Sequence, residues 1–423
     1  MFKEFKFGNF RSFKEKQVLS LEAMGQKRPE LDCFNIQEIG KDKILKTSVI
    51  YGHNSFGKSN IFKALSMMQR IIKQCTNPDY KIDVDNFKLD KESKGLPSIF
   101  ELTFINNSIT YRYGFEILED KIIRESLHKK NVREVAIFQR ESSENSSIEL
   151  NTSYNSLKKY IKFTRENELF LSSMIKNNET DEIKDIYDWI LNNIKVFSAD
   201  RISSATTSRL FLDEKLKKRK ILEALQNANL GIESIEITEE EKDFNDIPNF
   251  IKELIEKELK GKEDSEKKFF KTEEVFQHNI YDGNEKKIDT INFELYDKES
   301  EGTIKLYSII GPVLDALENG HTLFIDELDS KLHHSITKYI VDLFHDLSIN
   351  TENAQLIFNT HDFYLLKEDI FRKDQIYFAN KNKFGESSLY SLGDFKGIDK
   401  KSNVLAHYLA GNFGAVGNIK IGG

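Results

Sequence analysis

The chain has 423 residues, of which 31% are charged and 39% are hydrophobic, and its formal net charge is −7. This balance is typical of a globular protein with a sizeable core, and it excludes a generic polyanion binder while leaving room for a local basic face. The two cysteines, Cys33 and Cys75, exclude a disulfide framework and favour a reducing compartment. The N-terminus lacks an apolar signal core, and no apolar run approaches the ~18 residues that span a bilayer. We therefore expect a cytoplasmic protein with no membrane partner.

Residues 1–119 are predicted to contain strands around one helix. Alternation of polar and apolar residues predicts strands near the N-terminus, and a buried run at 47–51 predicts a strand that leads into a helix. A hairpin is expected at 98–119, with its turn at 106–108.

The middle segment, residues 120–285, is predicted to be mainly helical and to serve dimerisation or partner binding. Amphipathic pieces at 182–194 and 250–256 support helices, and the charge run at 260–268 favours a solvated loop. The basic cluster at 215–220 is interpreted as an exposed helix face in preference to a nucleic-acid contact. Sustained heptads are absent from the sequence, which argues against long coiled-coil arms.

From residue 286 onward, strands and helices alternate. Strands are expected at 288–296, 322–325 and 355–359, with helices at 303–317 and 335–347. This alternation predicts an α/β fold that the middle segment interrupts.

Residues 52–59 fit the phosphate-loop pattern G-x-x-x-x-G-K-[ST] at every fixed position, between a predicted strand and a predicted helix. The two glycines allow the backbone to turn tightly, and successive N–H groups then face an anion. Lys58 is expected to reach the β- and γ-phosphates of ATP, and the Ser59 hydroxyl is expected to hold Mg²⁺. The predicted nucleotide-binding residues of this segment are Gly52, Asn54, Ser55, Gly57, Lys58, Ser59 and Asn60.

Two further strands end in polar residues. The strand at 322–325 leads into Asp326 and Glu327, which are predicted to hold Mg²⁺ and to act as general base, respectively. The strand at 355–359 leads to His361, which is predicted to contact the γ-phosphate. Ser300 is a predicted N-cap and Gly302 permits close backbone approach, so this helix start is a second expected anion site.

In this order of motifs, the chain resembles the ABC-type ATPase heads of the SMC, RecF and OLD group over residues 1–119 and 286–423. The resemblance implies a P-loop NTPase head, with a mixed sheet and flanking helices. It also implies that Ser300 and Gly302 form a signature that closes over ATP bound by a second copy, although Thr303 departs from the usual Gln or Glu. Arg11, in the segment 9–13, is expected to approach the nucleotide. The family's D-loop corresponds to 330–333, and Gln139 is the candidate for its Q-loop glutamine.

More narrowly, the chain resembles stand-alone ATPases of bacterial anti-phage abortive-infection systems, similar to RloA/AbiL and the PARIS ATPase. The segments that carry this resemblance are 299–306, 324–329 and the tail at 412–416. Such ATPases act with a separate effector, often a nuclease. Only 62 residues follow His361 (423 − 361), too few for a fused TOPRIM domain, so the effector is expected to be a second protein.

Three functions remain open at this point. The first is an ATPase that dimerises around ATP and regulates an effector in defence, and the second is a RecF- or SMC-type clamp for DNA repair or recombination. The third is a scaffold that binds ATP without hydrolysis, against which Glu327 argues. The adjacent pair His333 and His334 is interpreted as a loop or helix start in preference to a metal site, because neighbouring side chains on a helix diverge.

Overall fold

The computed structural model describes residues 1–25, 28–142, 147–177, 181–198, 202–213, 215–242, 269–398 and 402–417. The predicted charged loop at 260–268 and the predicted amphipathic piece at 250–256 lie outside these residues. The chain forms two compact units. The first contains Met1–Arg201, Asp315–Ser330 and Thr337–Gly423, and the second contains Ile202–Leu314 and Lys331–Ile336.

The strands follow one another along the chain as β1 (Phe2–Gly8), β2 (Gln17–Ser20), β3 (Ile36–Ile39), β4 (Asp42–Leu45), β5 (Thr47–Tyr51), β6 (Ser98–Asn106), β7 (Ile109–Leu118), β8 (Lys121–Lys130), β9 (Glu134–Glu141), β10 (Ser147–Leu150), β11 (Ile194–Ser198), β12 (Ile232–Lys242), β13 (Phe269–Tyr281), β14 (Lys287–Glu294), β15 (Thr322–Asp326), β16 (Gln355–Asn359), β17 (Ile376–Lys381) and β18 (Ser387–Ser391).

The α-helices are α1 (Pro29–Asn35), α2 (Lys58–Gln74), α3 (Phe170–Lys176), α4 (Glu182–Asp188), α5 (Ser204–Asp213), α6 (Lys215–Asn227), α7 (Leu295–Lys298), α8 (Glu301–Asn319), α9 (His334–His345) and α10 (Val404–Leu409). A 3₁₀ segment covers Thr152–Phe163, and a π-helical turn covers Trp189–Asn193.

The first unit contains two large sheets. One has seven antiparallel strands in the order β10-β9-β8-β7-β6-β1-β2. The other has six strands in the order β11-β15-β16-β5-β17-β18, and all of its neighbours are parallel except β17 and β18. The expected α/β fold with a mixed sheet is therefore present.

Helix α2 and aromatic side chains fill the space between these sheets. The helix contacts β6 of one sheet and β15 of the other. Phe324 of β15 meets Phe2 edge to face at 5.3 Å and Phe62 of α2 at 5.8 Å, measured between ring centroids. Each of these rings is almost fully buried, so the helix that follows the phosphate-loop segment is anchored in the main core.

Most predicted strands around the site are confirmed. Strands β5 and β16 have the predicted bounds, and β15 extends one residue further, to Asp326. The hairpin of β6 and β7 is also confirmed, and it turns at Asn107 and Ser108, whose φ angles of 50° and 62° match a type I′ turn.

The prediction that residues 120–285 are mainly helical is wrong for the described residues, because β8 to β13 lie there as well as four α-helices. Strand β8 carries many charged residues, and one of them, Glu125, is buried. Its carboxylate accepts hydrogen bonds from the hydroxyl of Tyr113 and the backbone of Phe170 and Leu171. These partners, which are distant in sequence, stabilise a charged residue inside a strand. A buried charged residue interrupts the alternation of polar and apolar residues by which a strand is recognised in a sequence. The boundaries at 120 and 286 stay predictions.

The second unit contains a three-stranded antiparallel sheet, β12-β13-β14, together with α5, α6 and the first part of α8. Helix α6 confirms that the basic cluster at 215–220 is helical. Near the start of α8, the ring nitrogen Nε2 of His278 lies 2.6 Å from a carboxylate oxygen of Glu299.

Candidate functional site

The segment 52–59 forms the turn between β5 and α2, and its two glycines are required by close neighbours. Gly52 has a φ of 156°, and a Cβ at this position would lie 2.5 Å from the carbonyl oxygen of Ala379. Gly57 has a φ of 103°, and its Cβ would lie 2.8 Å from the hydroxyls of Ser12 and Ser387. A side chain at either position would collide, so the loop has this shape only with glycine.

Helix α2 begins at Lys58 directly after this loop, and no side chain caps its N-terminus. The amides of a first helical turn have no partner within the helix, and the helix dipole adds positive potential there. Ser55, in the middle of the loop, has a left-handed φ of 66°. This arrangement of a tight loop and an open helix N-terminus is suited to binding a phosphate group.

The ammonium group of Lys58 is buried beside the loop. Its Nζ donates to the carbonyl oxygen of Gly52 at 2.6 Å and lies 3.3 Å from Nε2 of His361. Desolvation lowers the pKa of Lys58, and the nearby carboxylates of Glu327 and Asp326 oppose this shift. A partly desolvated cation at this position would gain strongly from a bound anion.

The end of β15 presents two carboxylates whose positions depend on Asn359, the last residue of β16. The side-chain amide of Asn359 donates to Asp326, and its side-chain oxygen accepts from the backbone N–H of Glu327 at 2.7 Å. Glu327 has a left-handed φ of 61°. Because Asn359 is fully buried between β15 and β5, it fixes both acidic residues relative to the phosphate-loop strand.

His361 follows β16 and meets the loop from the neighbouring strand. Its backbone N–H donates to both carboxylate oxygens of Asp329, at 3.2 and 3.1 Å. Desolvation, and next the charge of Lys58, lower the pKa of His361 below its ordinary value. The imidazole is therefore neutral at pH 7, and it lies beside Lys58 as the sequence predicted for two residues of one site.

Three other predicted nucleotide-binding residues, Asn60, Ser59 and Asn54, differ in their surroundings within the phosphate loop and the first turn of α2. The side-chain amide of Asn60 donates to the hydroxyl of Ser12 at 2.9 Å, which joins the first turn of α2 to the N-terminal segment. Ser59 is half-buried in the same turn, and Asn54 is exposed in the loop. Their roles toward a ligand stay predictions.

Arg11 lies one residue from Ser12, but its guanidinium turns to Asp85. The two side chains form an ion pair at 3.2 Å, and the backbone N–H of Arg11 donates to the carbonyl oxygen of Asp85. Arg11 has a left-handed φ of 51°. A contact of Arg11 with nucleotide would compete with this ion pair, and it stays a prediction.

Ser300 and Gly302 belong to the second unit. The Ser300 hydroxyl accepts from the backbone N–H of Thr303 at 3.1 Å, so the predicted N-cap of α8 is present. A Cβ on Gly302 would lie 3.3 Å from the carbonyl oxygen of Lys331, so the backbone of Gly302 packs closely against this residue. The anion-binding role of Ser300 and Gly302 stays a prediction.

The sequence did not reveal that Asn359 and Asp329 position other residues of the site. Both residues lie in segments that the sequence analysis had marked as motifs. Their hydrogen-bond partners, however, lie more than 30 positions away in the sequence and are brought close by the order of the strands in the sheet. Gln139, the Q-loop candidate, lies on β9, and its side-chain nitrogen is 3.1 Å from Nε2 of His128. His333 lies 2.9 Å from the hydroxyl of Ser335, next to the start of α9, in agreement with a helix start.

Across the part of the chain that the structure describes, no cluster of three or more His, Cys, Asp or Glu side chains has a metal-binding arrangement. Within the same residues, every helix is too short or too polar to cross a bilayer.

Comparison with known proteins gives one family. The family model described as "AAA domain, putative AbiEii toxin, Type IV TA system" matches residues 48–367, which is well over half of the chain. No curated protein matches the sequence. The matched region begins in β5 and includes the phosphate loop, Asp326, Glu327 and His361. The chain therefore belongs to this AAA-domain family, a P-loop ATPase family related to the SMC, RecF and ABC group.

Proposed function

We propose that the chain is an ABC-type ATPase that binds and hydrolyses ATP, dimerises around it, and regulates a separate effector in anti-phage defence. One observation carries the first part of this proposal. The phosphate loop, the carboxylate of Asp326 and the ring of His361 meet around Lys58, from three adjacent strands of one sheet. In this proposal, residues 1–119 and 286–423 form the ATPase head of a cytoplasmic protein.

The residue types at this edge of the sheet fit a magnesium–nucleotide site. Hydroxyl and carboxylate oxygens are the ligands that Mg²⁺ prefers, and Ser59 and Asp326 would hold it. Bound Mg²⁺ supplies neutralisation of the phosphate charge. Asn359 holds one oxygen of Asp326, which orients the other side of the carboxylate. The donors of the loop and Lys58 would bind the β- and γ-phosphates.

Glu327 and His361 are the proposed catalytic residues. Glu327 would accept a proton from the attacking water, because a carboxylate next to the Mg²⁺ ligand is within reach of the γ-phosphate. His361 would donate a hydrogen bond to the γ-phosphate and thereby distinguish ATP from ADP. Asp329, which holds the backbone of His361, keeps this ring close to Lys58.

Dimerisation is supported by the start of α8. A phosphate loop leaves one side of the γ-phosphate open, and a capped helix start with Ser300 and Gly302 is a second anion-binding element. Supplied by a second copy, it would close the site. ATP would then stabilise the dimer, and hydrolysis would weaken it.

Glu327→Gln tests this proposal, because it removes the base and keeps the side-chain volume. With ATP and Mg²⁺, light scattering after size-exclusion chromatography should show a stable dimer of the variant, and a faster-dissociating one of the wild type. Glu352→Gln, at an exposed turn, is the matched control and should behave as the wild type. A Glu327→Gln protein that remains monomeric with ATP would contradict the dimer.

The family description names the domain a putative toxin of a toxin–antitoxin system, and such a two-component context supports a partner chain for this protein. The proposed partner is a nuclease or another toxin encoded as its own chain. Co-expression with the neighbouring reading frame, followed by purification through a tag on this chain, should yield a complex whose effector activity changes with ATP. ATP turnover that is unaffected by DNA would agree with this reading.

The alternative is a RecF- or SMC-type DNA clamp for repair or recombination, and the basic start of α6 favours it. Lys218 and Arg219 are exposed there, while Ile221, Ala224 and Leu225, further along the helix, are buried. Arg219 also pairs with Glu223 at 3.2 Å, which is an ordinary arrangement for an exposed helix. Turnover that rises with DNA and falls with salt would favour the clamp over the regulator.

A further inference from the structure

Strand β17 pairs with β5, and the chain beyond this pairing runs beside the phosphate loop. The carbonyl oxygen of Ala379, on β17, points at Gly52, and a Cβ added to Gly52 would lie only 2.5 Å from this oxygen. Two residues further, the ammonium group of Lys381 donates to the carbonyl oxygen of Ser55 at 3.2 Å. A second lysine, remote in sequence from the motif, therefore contacts the centre of the loop.

The C-terminal part of the chain holds the loop at other points as well. The backbone N–H of Ser387, on β18, donates to the carbonyl oxygen of Ser12 at 2.7 Å, and its side chain lies close to Gly57. The carbonyl oxygen of Ala415, in the tail, accepts from the backbone N–H of His53 at 3.0 Å. These contacts reach the start, the middle and the end of the loop.

The conformation of Ser55 explains why a charged partner matters at this point. A left-handed φ of 66° is unfavourable for a residue with a side chain, and it persists only where other contacts stabilise it. The carbonyl groups of Gly52 and His53 accept hydrogen bonds from donors within the segment, whereas the carbonyl group of Ser55 accepts from Lys381, which lies outside it. A lysine donor forms a charge-assisted hydrogen bond, which is stronger than a neutral one.

We propose, on the basis of the ATP site described above, that Lys381 is a positioning residue for nucleotide binding. It holds the Ser55 carbonyl so that the loop is preformed for the β-phosphate. Lys381 does not take part in the chemical step. Removal of the Lys381 side chain should therefore weaken the binding of ATP and of ADP to the same extent, because both nucleotides carry the β-phosphate. Turnover at saturating ATP should be nearly unchanged.

The test compares Lys381→Met, Lys381→Gln and Lys381→Arg with Lys383→Met in the full chain. Lys383 lies in the turn of the same hairpin, is exposed, and contacts the ring of Phe384, so it is a matched control for the loss of one charge. Calorimetry gives the Kd for ATP and ADP, and steady-state kinetics give kcat and KM. Thermal melting of each variant verifies its fold.

Lys381→Met and Lys381→Gln should raise both Kd values about fivefold, the size expected for one partly exposed charge-assisted hydrogen bond, with kcat within about twofold of the wild type. Lys381→Arg should restore binding, and Lys383→Met should have no effect. Unchanged Kd values in both uncharged variants, or an equal loss in Lys383→Met, would overturn the role of Lys381. Failure of the wild type to bind ATP would refute the proposed function instead.

Discussion

The ammonium nitrogen of Lys58 lies 3.3 Å from Nε2 of His361, although 303 positions separate the two residues in the sequence. Parallel pairing of β5 with β16 produces this proximity, because Asn359 lies opposite Ile50 and both strands end at the same edge. A group that binds to the loop at Lys58 would therefore also meet the imidazole. This relationship makes His361 the first residue to change.

His361→Ala should lower kcat about 10- to 100-fold, because a hydrogen bond to the charged γ-phosphate would be lost in hydrolysis. Its effect on ADP affinity should be less than about twofold, since ADP lacks that phosphate. His361→Gln keeps a side-chain donor and should retain more activity than His361→Ala. Equal loss of ATP and ADP affinity in stopped-flow binding would show that His361 has no γ-phosphate role.

Asn359→Asp should impair the use of Mg²⁺. The change removes the donor to Asp326 and adds a second carboxylate next to it, so we expect the Mg²⁺ concentration for half-maximal turnover to rise about tenfold. Asn319→Asp is the matched control, because the Asn319 amide also donates to a carboxylate, that of Asp315, on an exposed helix end. If both variants need the same Mg²⁺ as the wild type, Asn359 does not position the metal ligand.

Gly57→Ala should abolish ATP binding by distorting the loop. Its added Cβ would lie 2.8 Å from two hydroxyl oxygens, in a backbone conformation that favours glycine. Gly40→Ala provides the comparison, because Gly40 also has a positive φ, of 61°, but a Cβ there has no neighbour within 4 Å. It should cost only about 1 kcal/mol of stability and leave ATP binding intact. Normal ATP binding by Gly57→Ala would mean that the loop has another shape.

Stability should decrease in mild acid because of His345. The ring nitrogen Nε2 of His345 lies 2.7 Å from the hydroxyl of Thr47, which also accepts a hydrogen bond from the side-chain nitrogen of Gln375. Burial, and next the charges of Lys46 and Lys338, lower the pKa of His345 to about 3. Below pH 6.5 the His345 side chain is protonated in the unfolded chain but not in the folded chain. The contribution of neutral His345 to the free energy of unfolding is therefore complete above pH 6.5 and is lost as the pH falls toward 3.

Denaturant unfolding at pH 7 and pH 5.5 measures this effect. From pH 7 to 5.5 the free energy of unfolding should fall by about 1 kcal/mol more in the wild type than in His345→Gln, whose side-chain amide can form a hydrogen bond with the same hydroxyl without titrating. An identical pH dependence of the two proteins would exclude His345 as the source. Other titrating groups cancel in this comparison, because both proteins contain them.

The motifs along the chain predicted three strands of the site, β5, β15 and β16, and the proximity of Lys58, Asp326 and His361. Each of the strands β5, β15 and β16 contains an apolar run, at 49–51, 323–325 and 356–358, and short apolar runs of this kind are typical of buried parallel strands. The proximity of Lys58, Asp326 and His361 followed from the rule that polar residues after adjacent parallel strands share one edge of the sheet.

Other features depended on partners that no local pattern reveals. The prediction of a mainly helical middle segment was extended from the amphipathic pieces at 182–194 and 250–256, whereas the buried Glu125 of β8 is held by Tyr113, Arg140 and the start of α3, which are distant in sequence. Lys381 contacts Ser55 across 326 positions, as a consequence of the place of β17 in the strand order. Such contacts become visible only once the sheet is assembled.

Calorimetric titration of the full chain with ATP in the presence of Mg²⁺ tests the central claim most directly. The wild type should bind one ATP per chain, and Lys58→Met, with an unchanged melting temperature, should bind at least about 100-fold more weakly, because it lacks the buried cation of the loop. Absence of ATP binding by the wild type, or equal binding by Lys58→Met, would contradict a nucleotide site at residues 52–59.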